Sequence, residues 1–379
     1  MYTTTKPYFP EDDIPNILDE IRSVLENKEL LTMGNHVTQF EQNFSKYIGS
    51  SFGIATNSCS SALEATLKAI GITGTEVIVP TQTFIATGAS VINAGGDLIL
   101  ADINETDYNI SFQSIKEKTT ENTKAIIAVH FGGLINEEIW DIKDFCSNNN
   151  IILIEDCAHA HGASIDGVMA GNIGDAGCFS FYATKILTTG EGGLVTTNNE
   201  ELHEKIASIR NRGIDIHSEN EIYSRIGSNY RMTEICAILG LSQLKHLDVF
   251  LSHRQAIASI YNELFETLEN SGIVKTIKTS SSVSNSYWRY TLKLNEKINR
   301  DVLKEILLKN DIRIDWPYDP PLHSQPAFNY LYGKSKKMFP IAEKEMKRHI
   351  CLPMNMHISL EDAEKIGHIV SDTLREQWP

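Results

Sequence analysis

The stretch GDAGCFSFYATKILTTGEGGLVTT, residues 174–197, decides the reading of this chain. Two β-rich runs, GCFSF and GGLVTT, flank a segment of small, hydroxyl-bearing and glycine residues with Lys185 in its middle. Runs of such continuous apolar character belong to buried strands, so the segment between them carries a lysine to the edge of the interior. A lysine head withdrawn from water is costly unless it has a partner or a task. The ordinary alternative is a loop lysine whose stem packs and whose head reaches solvent. Its neighbours weigh against that: Ser180 and Thr184 supply hydroxyls, while Gly190, Gly192 and Gly193 permit a close backbone approach to a ligand. A lysine so placed suits a Schiff base with a carbonyl cofactor.

Working outward, short β-rich runs alternate with helical patterns from Phe52 onward: FGIAT, SSALEATLKAIG, EVIVP, DLILADI, TKAIIAVHF and IILIED. That rhythm predicts an α/β fold with a mostly parallel central sheet. The first thirty residues, with the helical pattern IPNILDEIRSVLENK, read as an N-terminal arm (1–30) packed on the small domain or a neighbouring subunit. A large α/β domain is expected over 31–241 and a smaller α+β domain over 242–379. In the latter, QLKHLDVFLSHRQAIASIYNELFETLENSG reads as one long helical stretch, WRYTLKL as a strand and RDVLKEILLKN as a helix. A last helix starts near Ser359 with the capping-box spelling SLED.

Composition removes several function classes. With 34 Lys+Arg against 49 Asp+Glu the net charge is -15, and the basic stretches, Lys334 to Lys337 and Lys344 to Arg348, are short. A long phosphate-backbone footprint needs clustered cations, so no nucleic-acid partner is expected. A small anionic ligand is still admissible, because helix N-termini bind phosphate inside acidic proteins. The six cysteines form no CxxC pair or zinc-like spacing and read as free thiols of a reducing compartment. No apolar window approaches the roughly 18 residues of a membrane span, and the expected location is cytoplasmic. Neither GxGxxG after an early strand nor GxxxxGK[ST] occurs.

Three further segments complete a candidate site. IILIEDCAHAHGA, 151–163, sets Glu155 and Asp156 at the C-terminal end of a strand, where open α/β sheets place ligand-binding groups; Asp156 is the better candidate for an inward role. A strand-end aspartate also commonly caps a turn. His159 reads as a polar wall of that site and His161 as structural, and no metal is expected, since no converging ligand set accompanies Cys157, His159 and His161. ATNSCSSALEATLKAIG, 55–71, opens a helix through Ser58, Ser60 and Ser61, a seat for phosphate or simply an N-cap. In VPTQTFIAT, Phe84 follows a strand end, where it either stacks on a planar ligand or joins the core.

Taken together, LTMGNHVTQFEQNFSKYIG, ATNSCSSAL, VIVPTQTFIAT, ADINETDYNI, EDCAHAHGA, GCFSFYATKILTTGEGG, GSNYRMTE and LPMNMHISLEDAEKI resemble, in order and spacing, the DegT/DnrJ/EryC1/StrS family of sugar aminotransferases. The resemblance spans almost the whole chain. It implies the fold-type-I aminotransferase scaffold and pyridoxal 5'-phosphate (PLP) cycling with pyridoxamine 5'-phosphate. By that similarity Lys185 is the Schiff-base lysine and proton carrier, and Asp156 pairs with the pyridine nitrogen. Phe84 stacks on the ring, and His159 lies near its other face or its phenolic oxygen. Ser60, Ser61 and Ser180 hold the phosphate. Asn229 reaches the cofactor of the partner subunit in a homodimer with composite active sites, and Arg231 serves that interface or a salt bridge.

The implied reaction moves an amino group, from glutamate, to the keto group of a nucleotide-linked deoxysugar in surface-polysaccharide or related glycan biosynthesis. The chain departs from many relatives at His159 (glutamine), at Cys59-Ser60 (Gly-Thr) and at Gln82 (an aromatic), which bears on the substrate more than on the cofactor. Trp316, Tyr318 and His323 of the Pro-rich segment are the expected small-domain contributors near the substrate. Two alternatives stand beside this reading. A 3-dehydratase of the same family carries histidine in place of the lysine, against Lys185 here. A non-catalytic regulatory protein would not need the lysine, the aspartate and the phosphate elements together.

Overall fold

The computed structural model describes residues 1–332 and 338–378. The basic stretch Lys334 to Lys337 lies outside the described residues. Along the first half of the chain run strands β1 (Phe52–Thr56), β2 (Glu76–Pro80), β3 (Asp97–Ala101), β4 (Thr123–Val129), β5 (Ile152–Asp156), β6 (Ser164–Ile165), β7 (Val168–Met169), β8 (Ala176–Ser180) and β9 (Gly193–Thr197). Seven of them form one sheet in the order β1-β9-β8-β5-β4-β2-β3. Strand β9 runs antiparallel to both of its neighbours, and the other pairings are parallel. The mostly parallel α/β sheet expected from the sequence is therefore the observed one.

Side-chain alternation explains why the sheet is covered on both faces. On β4, Ile126 and Ala128 join the apolar cluster of Phe40, Phe44, Phe179 and Phe181, while Ala125 and Ile127 join that of Leu63, Val77, Val79 and Val195. Helix Cys59–Ile70 lies on the second face. Its N-cap Ser58 accepts a hydrogen bond from the Ser61 N–H, and Gly71, at φ 72°, ends it in a left-handed turn.

The later strands are β10 (Val274–Thr276), β11 (Val283–Ser284), β12 (Tyr290–Leu294) and β13 (His349–Leu352). An antiparallel sheet β10-β12-β13 packs under helices Leu247–Asn270 and Leu360–Gln377 through Tyr261, Phe265, Ile366 and Val370. The SLED capping box is formed: Ser359 and Asp362 bond each other's backbone N–H. Asp102, just past β3, ties helix Pro340–Glu345 to the large sheet: its carboxylate accepts the Ile341 and Ala342 N–H groups at 3.0 and 2.9 Å.

One expectation is corrected. The stretch from Gln243 to Gly272 is not one helix, because helix Glu234–Lys245 ends at His246 and helix Leu247–Asn270 leaves at 57°. Apolar residues on both sides of the break serve the interior, so the pattern runs on while the axis turns; His246 bonds Asp13 at 2.9 Å at the corner. The N-terminal segment spans both parts of the molecule. Tyr2 pairs with Asp311 and Arg313, and helix Ile14–Glu26 seats Ile17 and Val24 against Ile238. No single helix among the described residues is long and apolar enough to cross a membrane.

Candidate active site

A cavity of about 440 Å³ opens at the C-terminal ends of β4, β5 and β8, where Val129, Asp156 and Ser180 reach its wall. This is the edge at which parallel strands of an open sheet present ligand-binding groups. Of the residues that the resemblance assigns to the cofactor, Ser60, Phe84, Asp156, His159, Ser180 and Lys185 line it.

Asp156 ends β5 as a buried carboxylate. It accepts hydrogen bonds from the Thr87 hydroxyl at 2.8 Å and the Ala158 N–H at 3.1 Å. Burial raises its pKa above the ordinary carboxylate value, against the opposing pull of those two donors and of Lys185. Lys185 follows β8 in a turn closed by its own N–H on the Tyr182 carbonyl at 2.9 Å. Burial pushes its ammonium down to about 8, with Arg289 acting in the same direction and Cys59 and Asp156 against it. Its Nζ lies 4.4 Å from the centre of the Trp288 ring. The site thus holds a lysine poised near neutrality beside a buried acid, the pairing expected of a nucleophile and its electrostatic partner.

Ser60, in the first turn of helix Cys59–Ile70, and Ser180, at the end of β8, line the same cavity. The first-turn N–H groups of a helix lack intrahelical partners and favour an anion. Gly193 permits this: a Cβ there would lie 2.4 Å from the Ser58 carbonyl and 2.6 Å from the Cys59 nitrogen. Ser61 is turned away, its hydroxyl donating to Asn57 at 2.6 Å, and does not line the cavity. Asn229 is also outside it; its carbonyl accepts from the Asn57 amide at 3.4 Å. Arg231 donates to Asn211 at 2.8 Å.

The opposite wall comes from residues that the sequence reading did not single out or did not separate. Trp288 and Arg289, just ahead of β12, line the cavity, as do Thr83, Thr87 and Tyr182. Trp288 donates its indole N–H to the Thr184 carbonyl at 2.9 Å and stacks on His159 with ring centres 3.7 Å apart. Arg289 lies over the same ring, donates to the Thr4 carbonyl at 3.0 Å and pairs with Asp315 at 3.2 Å. Of the three small-domain candidates only Tyr318 reaches the site. Trp316 lies under Arg300 and Lys304, and His323 is buried between Thr81 and Glu343. Gln82 is buried outside the cavity lining, its amide without a hydrogen-bond partner among the described residues.

Phe84 stands at the rim, 56% exposed and 6.2 Å from the Tyr318 ring. His161 packs between Phe179 and Phe181, in keeping with a structural role. Glu155, pointing away from the cavity, accepts Gly171, Ile173 and Gly174 N–H groups and contacts His130 at 2.9 Å. Its lone pairs are thereby used in bracing the chain between β7 and β8.

The residues present fit a planar, phosphorylated carbonyl cofactor: an amine of lowered pKa, a buried carboxylate in the same cavity, and two serines, one of them at a helix start.

Comparison with known proteins agrees with this geometry. The model of the DegT/DnrJ/EryC1/StrS aminotransferase family matches residues 11–371. GDP-perosamine synthase of Escherichia coli O157:H7 is 33% identical over 93% of this chain and 95% of its own. The UDP-N-acetyl-3-dehydro-alpha-D-glucosamine 3-aminotransferase of Acidithiobacillus ferrooxidans is 31% identical over 94% of each. Among solved structures, Helicobacter pylori PseC, an aminotransferase involved in the biosynthesis of pseudoaminic acid, superposes with a TM-score of 0.90 at 25% identity over 99% of both chains.

Proposed function

The chain belongs to the DegT/DnrJ/EryC1/StrS aminotransferase family and is a sugar aminotransferase; from that premise we propose that it moves an amino group from L-glutamate to the keto group of a nucleotide-linked deoxysugar destined for a surface polysaccharide or related glycan. The cofactor is PLP, cycling with pyridoxamine 5'-phosphate. The observation that carries the reading is the pairing of Lys185, lowered to about 8, with buried Asp156 in one cavity.

When bound, the cofactor supplies an electron sink for the carbanion formed as the amino group changes hands. The chain's own residues do the rest. Lys185 would hold the cofactor's carbonyl carbon and, as an amine near neutrality, would take up and release the transferred proton at its Nζ. Asp156 would pair with the cofactor's ring nitrogen and favour its protonated form, and Thr87 and the Ala158 N–H hold Asp156 in place. Ser60, Ser180 and the adjoining helix turn bind the phosphate, and Phe84 covers one ring face. In this reading residues 31–241 carry the cofactor and residues 242–379 supply Trp288, Arg289 and Tyr318 to close the sugar side. Asn229, outside the lining of its own cavity, serves the cofactor of a second copy. The exposed Tyr223 and Ile226 nearby are in keeping with a covered face.

Adding PLP to the purified protein is expected to produce the visible band of the lysine-bound cofactor, absent in Lys185→Ala and discharged by glutamate. Retention of the band in glutamate rules out that donor. Product analysis with UDP-, dTDP- and GDP-linked keto-sugars then identifies the acceptor. Mixing inactive Lys185→Ala and Asn229→Ala chains is expected to restore activity if sites are shared between subunits, and no recovery refutes the composite site.

A further inference from the structure

Three rings on the small-sheet side of the cavity lie nearly parallel. His159 is 3.7 Å from Trp288 at 10° and 5.7 Å from Tyr318 at 8°, and its Nε2 is 2.7 Å from the Tyr318 Oη. That contact admits two arrangements. Either the phenol donates and the imidazole proton sits on Nδ1, or Nε2–H donates and the phenol accepts.

The other ring nitrogen decides between them. Nδ1 of His159 is buried with no hydrogen-bond partner among the described residues. A buried N–H without an acceptor is rarer and more costly than an unused lone pair, so the ring proton belongs on Nε2. The ring is neutral, since burial, with Lys185 and Arg289 close by, drives its pKa well below the ordinary value. With its oxygen already receiving Nε2–H, Tyr318 keeps its own proton uncommitted, and it makes no other hydrogen bond among the described residues. Burial raises the phenol's pKa, which preserves that proton.

The backbone supports a set position for this tyrosine. Tyr318 sits at φ 67°, a left-handed conformation that costs a non-glycine residue about 1 kcal/mol. It is held from both sides, by His349 on the Pro317 carbonyl at 3.1 Å and by the ion pair of Asp319 with Arg300.

We propose that Tyr318 is a hydrogen-bond donor to the bound ligand, its hydroxyl turned into the cavity by the Nε2–H of His159 and aimed at an acceptor oxygen of either the cofactor or the keto-sugar. The ligand's identity rests on the function proposed above, whereas the direction of the His159–Tyr318 bond does not.

Heteronuclear NMR of the full chain with isotope-labelled histidine, without added cofactor, tests that direction, the His159 signal being assigned by its loss in His159→Gln. A neutral ring protonated on Nε2 is expected, and a ring protonated on Nδ1 or on both nitrogens overturns the proposal. Tyr318→Phe then locates the acceptor. A loss of about tenfold in PLP affinity, read by absorbance titration, places it on the cofactor. Unchanged PLP affinity with a roughly tenfold rise in KM for the keto-sugar places it on the sugar. No change in either refutes the donor role. Wild-type protein that forms no lysine-bound band with PLP refutes the proposed function and leaves the NMR result standing, so the two failures are distinct.

Discussion

Thr87 donates its hydroxyl proton to Asp156 at 2.8 Å and is itself met at 2.8 Å by the Thr83 hydroxyl. The Thr87 hydroxyl thus opposes the rise that burial imposes on this carboxylate's pKa. Thr87→Val is expected to raise that pKa further. The ionised form is then lost at higher pH, and the acid limb of the kcat/KM profile moves toward neutrality, with roughly a tenfold fall in activity at its optimum. Asp156→Asn is expected to lose far more while the phosphate seat still binds PLP. A pH–rate profile with parallel PLP titrations checks both.

Burial makes Lys185 a stability cost. Its folded-state pKa of about 8 lies below the ordinary 10.5, so folding disfavours its charged form. The penalty is complete below about pH 8, shrinks as the pH rises toward 10.5 and vanishes above it. Lys185→Met is therefore expected to stabilise the cofactor-free protein at pH 7 by about 2 kcal/mol, with the gain fading in alkaline buffer. Chemical denaturation at several pH values measures this.

Gly193 holds β9 against the start of helix Cys59–Ile70 with no room for a side chain. Because the atoms a Cβ would strike are backbone, Gly193→Ala must displace the helix start itself. PLP affinity is expected to fall at least tenfold and stability by about 2 kcal/mol. Calorimetry and absorbance titration report the two effects separately.

The Glu155 carboxylate is matched to its donors. Burial alone would raise its pKa, yet His130 and the Gly171 and Gly174 N–H groups bring it below the usual glutamate value. Glu155→Gln replaces an acceptor oxygen by an NH2 facing backbone donors and is expected to cost about 3 kcal/mol in equilibrium unfolding.

The parts of the site that were legible in the sequence are those at strand ends. Asp156, Ser180 and Lys185 could be placed because an apolar run stops beside them, and periodicity marks where a parallel sheet turns toward its ligand edge. Thr87 was not legible, since it lies inside a helix of small residues with nothing in its spacing to mark it. Trp288 and Arg289 immediately precede β12, and only the packing of the small sheet against the large one brings them to Lys185. The segment 316–328 shows the same limit: its aromatic and histidine content pointed to the site as a block, but Tyr318 alone turns inward while Trp316 and His323 find partners elsewhere. The corner at His246 was invisible because the apolar pattern serves both helices.

The order β1-β9-β8 has a further consequence for how the chain acquires its shape. Strand β1 is synthesised first, yet its sheet partner is β9, and the bond from the Ser51 N–H to the Asn198 side chain that closes their pairing joins residues 147 apart. During synthesis β2 to β5 and β8 can pair among themselves while β1 waits at an open edge. The helix start that follows β1, with Ser60, is therefore brought against Gly193 only after the lysine turn has left the ribosome. Chain truncations ending before and after residue 197 should differ sharply in protease resistance of this region, because late closure of a long-range contact is the slow and exposed step of such a topology.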